Sequence, residues 1–387
     1  MIYQWLVSAG LVVFFINLCL NLIFLKRPSK NAPLPDGLPL VSVLIPARNE
    51  EENIEKCLKS ILAQDYPNYE VLVLDDNSTD KTWGIVDEIQ SRDHHVRLFK
   101  GKPLPDNWAG KCFACYQLAQ HASGAWLLFV DADTTHEPHM IRATVDIAAK
   151  HNISMMSGLP RQDVRGLTQK IVIPILFYFI IETWFPLWWF HRSKKPGPTL
   201  AIGQFMLFKA DEYWRIGGHE LVRSRIIEDV WFAIEMSRHG GRTLSIDLSR
   251  TVTTRMYTNL GAMTEGCIKW MYSVAALSPM ALVGFVLAAY IFYIAPFYWL
   301  IVVPLNSAMS DASVTEAGWL IISQVLLILL MRLITDTYFK GSHLSLVFHP
   351  LGMVFLILTV LYGASRRALG AGVAWKDRVY NSLTQIK

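Results

Sequence analysis

The residues best suited to chemistry are acids that directly follow apolar runs. EVLVL at 70–74 runs into Asp75-Asp76, and WLLFV at 126–130 runs into Asp131-Ala132-Asp133. If the strand geometry continues past 130, Asp131 and Asp133 point to one side. Two carboxylates side by side repel unless something positive sits between them. A hard divalent cation with oxygen ligands suits that gap. Such a cation can bridge a diphosphate and neutralise a leaving group. Acids in these places can also simply cap helices, a reading that fits Asp80 and Ser78. The DxD after a fully apolar run fits a cation better.

The surrounding pattern says what positions these acids. VSVLI (41–45), EVLVL (70–74), residues 96–99 and WLLFV (126–130) read as strands. Helical spacing follows at 49–64, from about Lys81, at 110–121 and at 138–150. Strands alternating with helices predict an α/β fold with a doubly wound, mostly parallel, Rossmann-like sheet. Ligands of such sheets sit beyond the carboxyl ends of the strands, where the acids are.

Composition sets the limits. The chain has 387 residues, 52% hydrophobic and only 18% charged, and its mean hydropathy is +0.29. Ordinary soluble domains carry about 25% charged residues. Disorder is excluded, because it needs the opposite balance. Five cysteines, an odd number, exclude a disulfide scaffold. A net charge of +4 with no basic run gives no footprint for nucleic acid. The apolar excess has addresses. Residues 2–25 form an uncharged run followed by Lys26 and Arg27, which predicts an uncleaved anchor with Lys26 on the cytoplasmic side. A proline-rich linker covers 28–39. The expected division is 1–27 anchor, 40–255 soluble domain, 256–273 interfacial helix, 274–363 transmembrane block and 364–387 basic tail. Within the soluble domain, 171–190 is aromatic, broken by Pro174 and Pro186, and reads as a helix lying in the membrane interface. Residues 274–305 are long for one span and short for two; 319–333 and 346–362 are further spans. The basic tail prefers the inside, which requires a re-entrant hairpin or two short helices within 274–305.

VSVLIPARNEEENI, VLVLDDNSTDKT and LLFVDAD, in that order, resemble the family 2 glycosyltransferases of GT-A fold. The likeness extends through GKPLPDNWAGKCFACYQLAQ, GGHE, IIEDVWFAIEMSRHGGR and WKDRVY. The GKPLP segment and the WKDRVY tail are most similar to the membrane-bound subgroup acting on carotenoids and hopanoids, such as the diaponeurosporenoate glycosyltransferases. The resemblance implies a role for each matching position. Pro46, Ala47 and Glu50 would lie around the nucleotide's ribose and base. Asp76, with Asp75 beside it, would bind the uracil ring. Lys111 would stand near the diphosphate, where a point charge makes sense. Asp131 and Asp133 would form the DxD pair, with Asp133 the main ligand of Mg²⁺ or Mn²⁺. Asp229 would be the general base. The residues support that last role on their own: inverting transfer needs one carboxylate to take the acceptor's proton and cations to hold the departing diphosphate. Helix N-terminal acids favoured by the macrodipole are the alternative for Glu228-Asp229, and both can hold together.

One departure bears on the product. Processive relatives carry Q/R-x-x-R-W after the base, whereas this chain has GCIKW at 266–270. Cys112-x-x-Cys115 lacks a second pair and reads as ordinary thiols. Gly217-Gly218-His219 reads as a turn with a site-lining histidine. The aromatic run 184–190 stacks a sugar or polyene, or forms an interface belt. The expectation is therefore an inverting, metal-dependent enzyme of a bacterial inner or plasma membrane with its catalytic domain cytoplasmic. Its partners would be a nucleotide-sugar donor, probed first as UDP-glucose, and a lipid acceptor such as a carotenoid or hopanoid. The alternatives are a membrane polysaccharide synthase and a non-catalytic sugar-nucleotide-binding membrane protein.

Overall fold

The computed structural model describes residues 1–183, 185–193, 197, 199–225, 227–257, 259–274, 279–306, 312–371, 373–375 and 378–380. Trp184 of the aromatic run, and Lys376 and Lys387 of the basic tail, lie outside them. Along the chain come α1 (Ile2–Phe24), β1 (Val41–Ala47), α2 (Ile54–Leu62), β2 (Tyr69–Asp75), α3 (Thr82–Arg92), β3 (Val96–Lys100), α4 (Gly110–His121), β4 (Trp126–Val130) and β5 (Thr134–His136). Then follow α5 (Met140–Lys150), β6 (Met155–Gln162), α6 (Leu167–Glu182), α7 (Leu187–Arg192), β7 (Phe205–Lys209), α8 (Ala210–Arg215), α9 (Gly218–Leu221), α10 (Glu228–Arg238) and β8 (Thr243–Thr254). The last third holds α11 (Leu260–Val274), α12 (Pro279–Tyr293), α13 (Ala295–Asn306), α14 (Ala312–Tyr338), α15 (Leu344–Val347), α16 (His349–Ala368), β9 (Val373–Trp375) and β10 (Arg378–Tyr380). The chain divides into two compact units.

One unit is Leu25–Asp163 with Trp189–Met256 and the C-terminal Leu383–Lys387, the last outside the described residues. Its sheet has the order β3-β2-β1-β4-β7-β6-β8-β5. β1, β2, β3, β4, β6 and β8 run one way, and β7 and β5 run against them. The expected parallel α/β sheet is present, extended by a mixed half the strand patterning did not disclose. Alternation along the strands feeds two cores. Val41, Val43 and Ile45 pack with Ile54, Leu58 and Ile61 of α2 and Ile141 and Val145 of α5 on one face. Leu44, Leu72 and Phe129 pack with Leu118 of α4 and Phe232 of α10 on the other. Covering both faces is what lets the central strands be apolar throughout. The helix expected from 49 begins only at Ile54, because Asn49 adopts a left-handed φ of 52° and turns the chain first.

The other unit is Met1–Phe24, Val164–Trp188 and Tyr257–Ser382. Among the described residues, four helical stretches are long and apolar enough to cross a membrane: Ile2–Phe24, Leu282–Val302, Glu316–Tyr338 and His349–Ala368. Among the described residues of the 274–305 run, Val274 ends α11 and 279–305 form α12 and α13, broken at Ile294, with Pro296 in the first turn of α13 where a missing N–H costs nothing. The stretch read as interfacial differs from expectation. α6 has Ile173, Ile175, Phe177, Phe179 and Ile181 buried, around its whole circumference. Its apolar content fills a helical core instead of meeting an interface. Several polar groups inside that core are paired. Arg332 Nη1 lies 2.7 Å from Glu182 of α6, and Nη2 lies 2.9 Å from Asp336. Asn21 of α1 donates to the Ile181 carbonyl at 2.9 Å and the Phe185 carbonyl at 2.8 Å. In apolar surroundings an unpaired charge would be costly, so these pairs fix how the helices register.

Candidate active site

Parallel β1, β2 and β4 end on one edge of the sheet, and their last residues bring two loops together there. Ala47 stands in register with Asp75, and the Asp76 N–H donates to the Ala47 carbonyl at 2.7 Å. Arg48 Nη1 donates to the Asp76 carbonyl at 2.8 Å. The Asn49 N–H donates to Ser78 Oγ at 3.0 Å, and the Thr79 N–H returns to Asn49 Oδ1 at 2.9 Å. The Glu50 N–H donates to Thr82 Oγ1 at 2.8 Å. The two loops are thus stitched side by side, with Pro46, Ala47 and Glu50 on one and Asp75 and Asp76 on the other. Gly101, after β3, closes in behind: a Cβ there would stand 3.1 Å from the Asp75 carbonyl and 3.2 Å from Asp76 Cα. Asp75 Oδ2 accepts from the Ser78 N–H at 3.2 Å, while its buried Oδ1 has no hydrogen-bond partner among the described residues. Asp80 accepts from the Thr82 N–H and hydroxyl and so takes the capping part.

A second cluster lies along the same edge. β7 runs antiparallel to β4, with Phe205 opposite Val130. That reversal carries the segment just before β7, including Gly203, to the place where β4 ends. β4 stops at Val130, and Asp131 opens a turn closed by Thr134, whose N–H and hydroxyl both bond the Asp131 carbonyl. The strand-based argument for Asp131 and Asp133 sharing a side therefore does not apply, because the strand has already ended. Asp133 instead receives the Arg255 N–H on its carbonyl, beside the end of β8. Lys111, in the first turn of α4, reaches across with Nζ 2.7 Å from Asp131 Oδ1 and 3.1 Å from Glu228 Oε1, and donates to the Gly203 carbonyl at 3.4 Å. Asp229, beside Glu228 at the start of α10, accepts from the Gly203 N–H at 2.7 Å and the Val230 N–H at 2.8 Å.

The electrostatics follow from burial. Asp229 is 7% exposed. Burial, then the charge of Glu228, push its carboxyl up to about 7, against the pull of Lys111 and the two N–H donors. Burial works against the Lys111 ammonium too, but Asp131 and Glu228 outweigh it and hold Lys111 charged, well above the usual lysine range. A carboxylate that titrates near neutrality beside a fixed cation is suited to accept a proton. Asp131 Oδ1 already takes a cation, the ammonium, and Asp131 and Asp133 are hard oxygen donors. The donor set fits Mg²⁺ or Mn²⁺.

The structure therefore brings Lys111, Asp131, Glu228 and Asp229 together, and separately joins Asp75 and Asp76 to the β1 loop. It adds Gly203, which no sequence signal marked. A Cβ there would lie 2.9 Å from Lys111 Nζ, 3.1 Å from Glu228 Oε1 and 3.4 Å from Asp229 Oδ2. It also adds a buried amide chain at the ends of β6, β7 and β8. Gln162 donates to Gln204 at 3.3 Å, and Gln204 to Thr254 at 3.2 Å. His219 is not a site-lining residue. It is fully buried, with Nδ1 2.7 Å from the Tyr213 hydroxyl and its ring against Phe129 and Phe232. Burial, and then Lys111, hold it well below the usual imidazole range, so it is a neutral core side chain. The cysteines are free thiols, and Cys112 and Cys115 are buried. Among the described residues, Asp93, His94 and His95 form a trio close enough to share an ion. They precede β3 and so belong to the opposite edge of the sheet.

Residues 42–213 match the family described as glycosyl transferase family 2. The 4,4'-diaponeurosporenoate glycosyltransferase of Staphylococcus haemolyticus is 31% identical over 240 residues, 59% of this chain and 60% of that protein. Glycosyltransferase AglE of Haloferax volcanii is 32% identical over 123 residues, 31% of this chain and 39% of that protein. The match thus spans less than two thirds of either relative's length. Among solved structures, the mannosyltransferase PcManGT from Pyrobaculum calidifontis, in complex with GDP-Man and Mn²⁺, superposes with a TM-score of 0.54 at 18% identity. That likeness covers 93% of this chain and 98% of that one and shows a shared fold. The acids at the strand ends, Asp75, Asp76, Asp131 and Asp133, therefore lie within the stretch 42–213 that matches glycosyl transferase family 2, on a fold shared with a solved glycosyltransferase, and Glu228 and Asp229 lie beyond that stretch.

Proposed function

We propose that the chain is an inverting, metal-dependent glycosyltransferase that moves a sugar, with UDP-glucose the first donor to test, onto a membrane-embedded lipid such as a carotenoid or hopanoid. The observation that carries the reading is the convergence of Lys111, Asp131, Glu228 and Asp229 at one sheet edge, with Asp229 titrating near neutrality. Asp76 and Asp75, with Pro46, Ala47 and Glu50, would receive the base and ribose. Asp131 and Asp133 would hold Mg²⁺ or Mn²⁺, which would supply positive charge for the departing diphosphate. Lys111 adds a second positive charge to the same leaving group. Asp229 takes the acceptor's proton as its oxygen attacks the anomeric carbon, and the inverted glycoside forms as the nucleoside diphosphate leaves. The Gly203 N–H fixes which face of the carboxylate is presented.

The membrane half of the proposal rests on the four apolar helices and on the carotenoid enzymes among the relatives. Lys26 and Arg27, directly after α1, favour placing the catalytic unit on the cytoplasmic side. The test is transfer of radiolabelled sugar from UDP-glucose to extracted bacterial lipid by the solubilised full chain, with and without Mn²⁺. Labelled lipid formed by the wild type and lost in Asp229→Asn supports the reading. Unchanged turnover in Asp229→Asn removes Asp229 as base, and turnover unaffected by a chelator removes the metal.

A further inference from the structure

Lys111 occupies a place that the proposed chemistry reserves for another cation. Its ammonium has three N–H groups and meets three acceptors: Asp131 Oδ1 at 2.7 Å, Glu228 Oε1 at 3.1 Å and the Gly203 carbonyl at 3.4 Å. Nothing is left over for a diphosphate. The pocket around it fits tightly, because a single Cβ on residue 203 would come within 2.9 Å of Nζ. The acceptors come from separate elements: Asp131 follows β4, Gly203 precedes β7, and Glu228 opens α10. Glu228 is 5% exposed, and the ammonium it faces is its compensating charge.

We infer that Lys111 is a resident counter-ion that competes with the divalent cation for Asp131, and that Glu228 is the positioning residue that retains the ammonium once Asp131 is taken. The inference deepens the proposed function, since it rests on the reading of Asp131 and Asp133 as the cation pair. Asp131 cannot give its Oδ1 both to an ammonium and to a metal ion at full strength. A cation entering at Oδ1 displaces the ammonium, and one entering at Oδ2 sets two cations on one carboxylate, so either way the 2.7 Å pair is weakened. Glu228 and the Gly203 carbonyl then keep Lys111 from swinging into solvent and leave one N–H free for a diphosphate oxygen. The charge balance improves at the same step. Before it, one ammonium serves the carboxylates of Asp131 and Glu228; after it, each has its own cation. Donor and metal are thereby coupled, because the cation's arrival frees the lysine for the diphosphate.

The experiment uses Mn²⁺ alone, with binding to the solubilised full chain read by electron paramagnetic resonance. Asp133→Asn is the control that the ion sits at the proposed pair. Lys111→Met removes the competitor and is expected to tighten Mn²⁺ about threefold to fivefold, the upper part of the range of an exposed ion pair. Glu228→Gln leaves Lys111 wholly to Asp131 and is expected to weaken Mn²⁺ by a similar factor. In the Lys111→Met background, Glu228→Gln is expected to change affinity by less than about twofold, since the two residues act through one ammonium. Unchanged or weaker binding in Lys111→Met overturns the inference. Equal effects of Glu228→Gln in both backgrounds also overturn it, because they reduce Glu228 to a general negative charge. Lys111→Gln gives the same comparison if the methionine variant misfolds. Mn²⁺ held through Asp133 without competition refutes this inference alone, whereas no Mn²⁺ binding by the wild type refutes the metal reading as well.

Discussion

Asp229 is expected to be a stability liability that the fold carries for the sake of its chemistry, and the size of that liability can be worked out. Its carboxyl moves from 3.8 in an exposed chain to about 7 in the fold, by burial first and the Glu228 charge second. The folded state therefore holds the proton more tightly than the unfolded one. Well below pH 3.8 the carboxyl is neutral in both states and costs nothing. The penalty grows as pH rises from 4 to 7 and is complete above 7. At 1.36 kcal/mol for each tenfold change in proton affinity, the difference makes it about 4 kcal/mol. Asp229→Asn removes the charge but cannot satisfy both the Gly203 and Val230 N–H groups, since one side-chain oxygen becomes NH₂. That loss costs about 1 kcal/mol at any pH. The expected net gain is about 3 kcal/mol at pH 8, shrinking by about 2–3 kcal/mol at pH 5. Tryptophan fluorescence during denaturant unfolding of the solubilised full chain at the two pH values measures it. The same titration predicts that kcat/KM rises about tenfold between pH 6 and pH 8 as the base ionises. An Asn variant equally stable, relative to wild type, at both pH values would refute the burial argument. A flat rate profile would refute the base assignment.

Gly203→Ala puts a methyl 2.9 Å from the ammonium and 3.4 Å from Asp229 Oδ2 and should push Lys111 out of its seat between Glu228 and the Gly203 carbonyl, lowering kcat/KM about 100-fold, the scale of an ångström-sized misplacement; steady-state kinetics with varied donor check this. Glu182→Gln leaves the fully buried Arg332 with Asp336 as its remaining carboxylate and should cost about 3–5 kcal/mol, read as a lower melting temperature in detergent. His219→Phe should cost about 1–3 kcal/mol by removing the ring nitrogen that pairs with the Tyr213 hydroxyl, whose oxygen keeps the residue-219 N–H, yet leave the pH–rate profile unmoved, because His219 is neutral throughout the working range. A shifted profile would return His219 to the site.

Which parts of this arrangement were legible in the sequence follows from how far each signal reaches along the chain. Val41–Ala47, Tyr69–Asp75 and Trp126–Val130 announce themselves because strands covered on both faces are continuously apolar, and the acids after them mark where they emerge. β7 was illegible for a topological reason. FMLFK is as apolar as the others, but nothing local says that it reverses direction, and that reversal alone brings Gly203 beside Asp131. A glycine needed because three side chains converge on it leaves no local trace, unlike Asn49, whose left-handed turn shortened a helix that periodicity had begun too early. The stretch at 171–190 misled for the converse reason. Aromatic and aliphatic residues look the same whether they face lipid or other helices, and only Glu182, too costly to leave alone in hydrocarbon, signalled that a partner had to come from elsewhere in the chain. His219 and Lys111 show why residue type without partners decides little. Each is a polar residue that directly follows a glycine. One lies among Phe129, Phe232 and Tyr213, which make it a neutral packing element. The other lies between two carboxylates, which hold it charged where a reaction can use it.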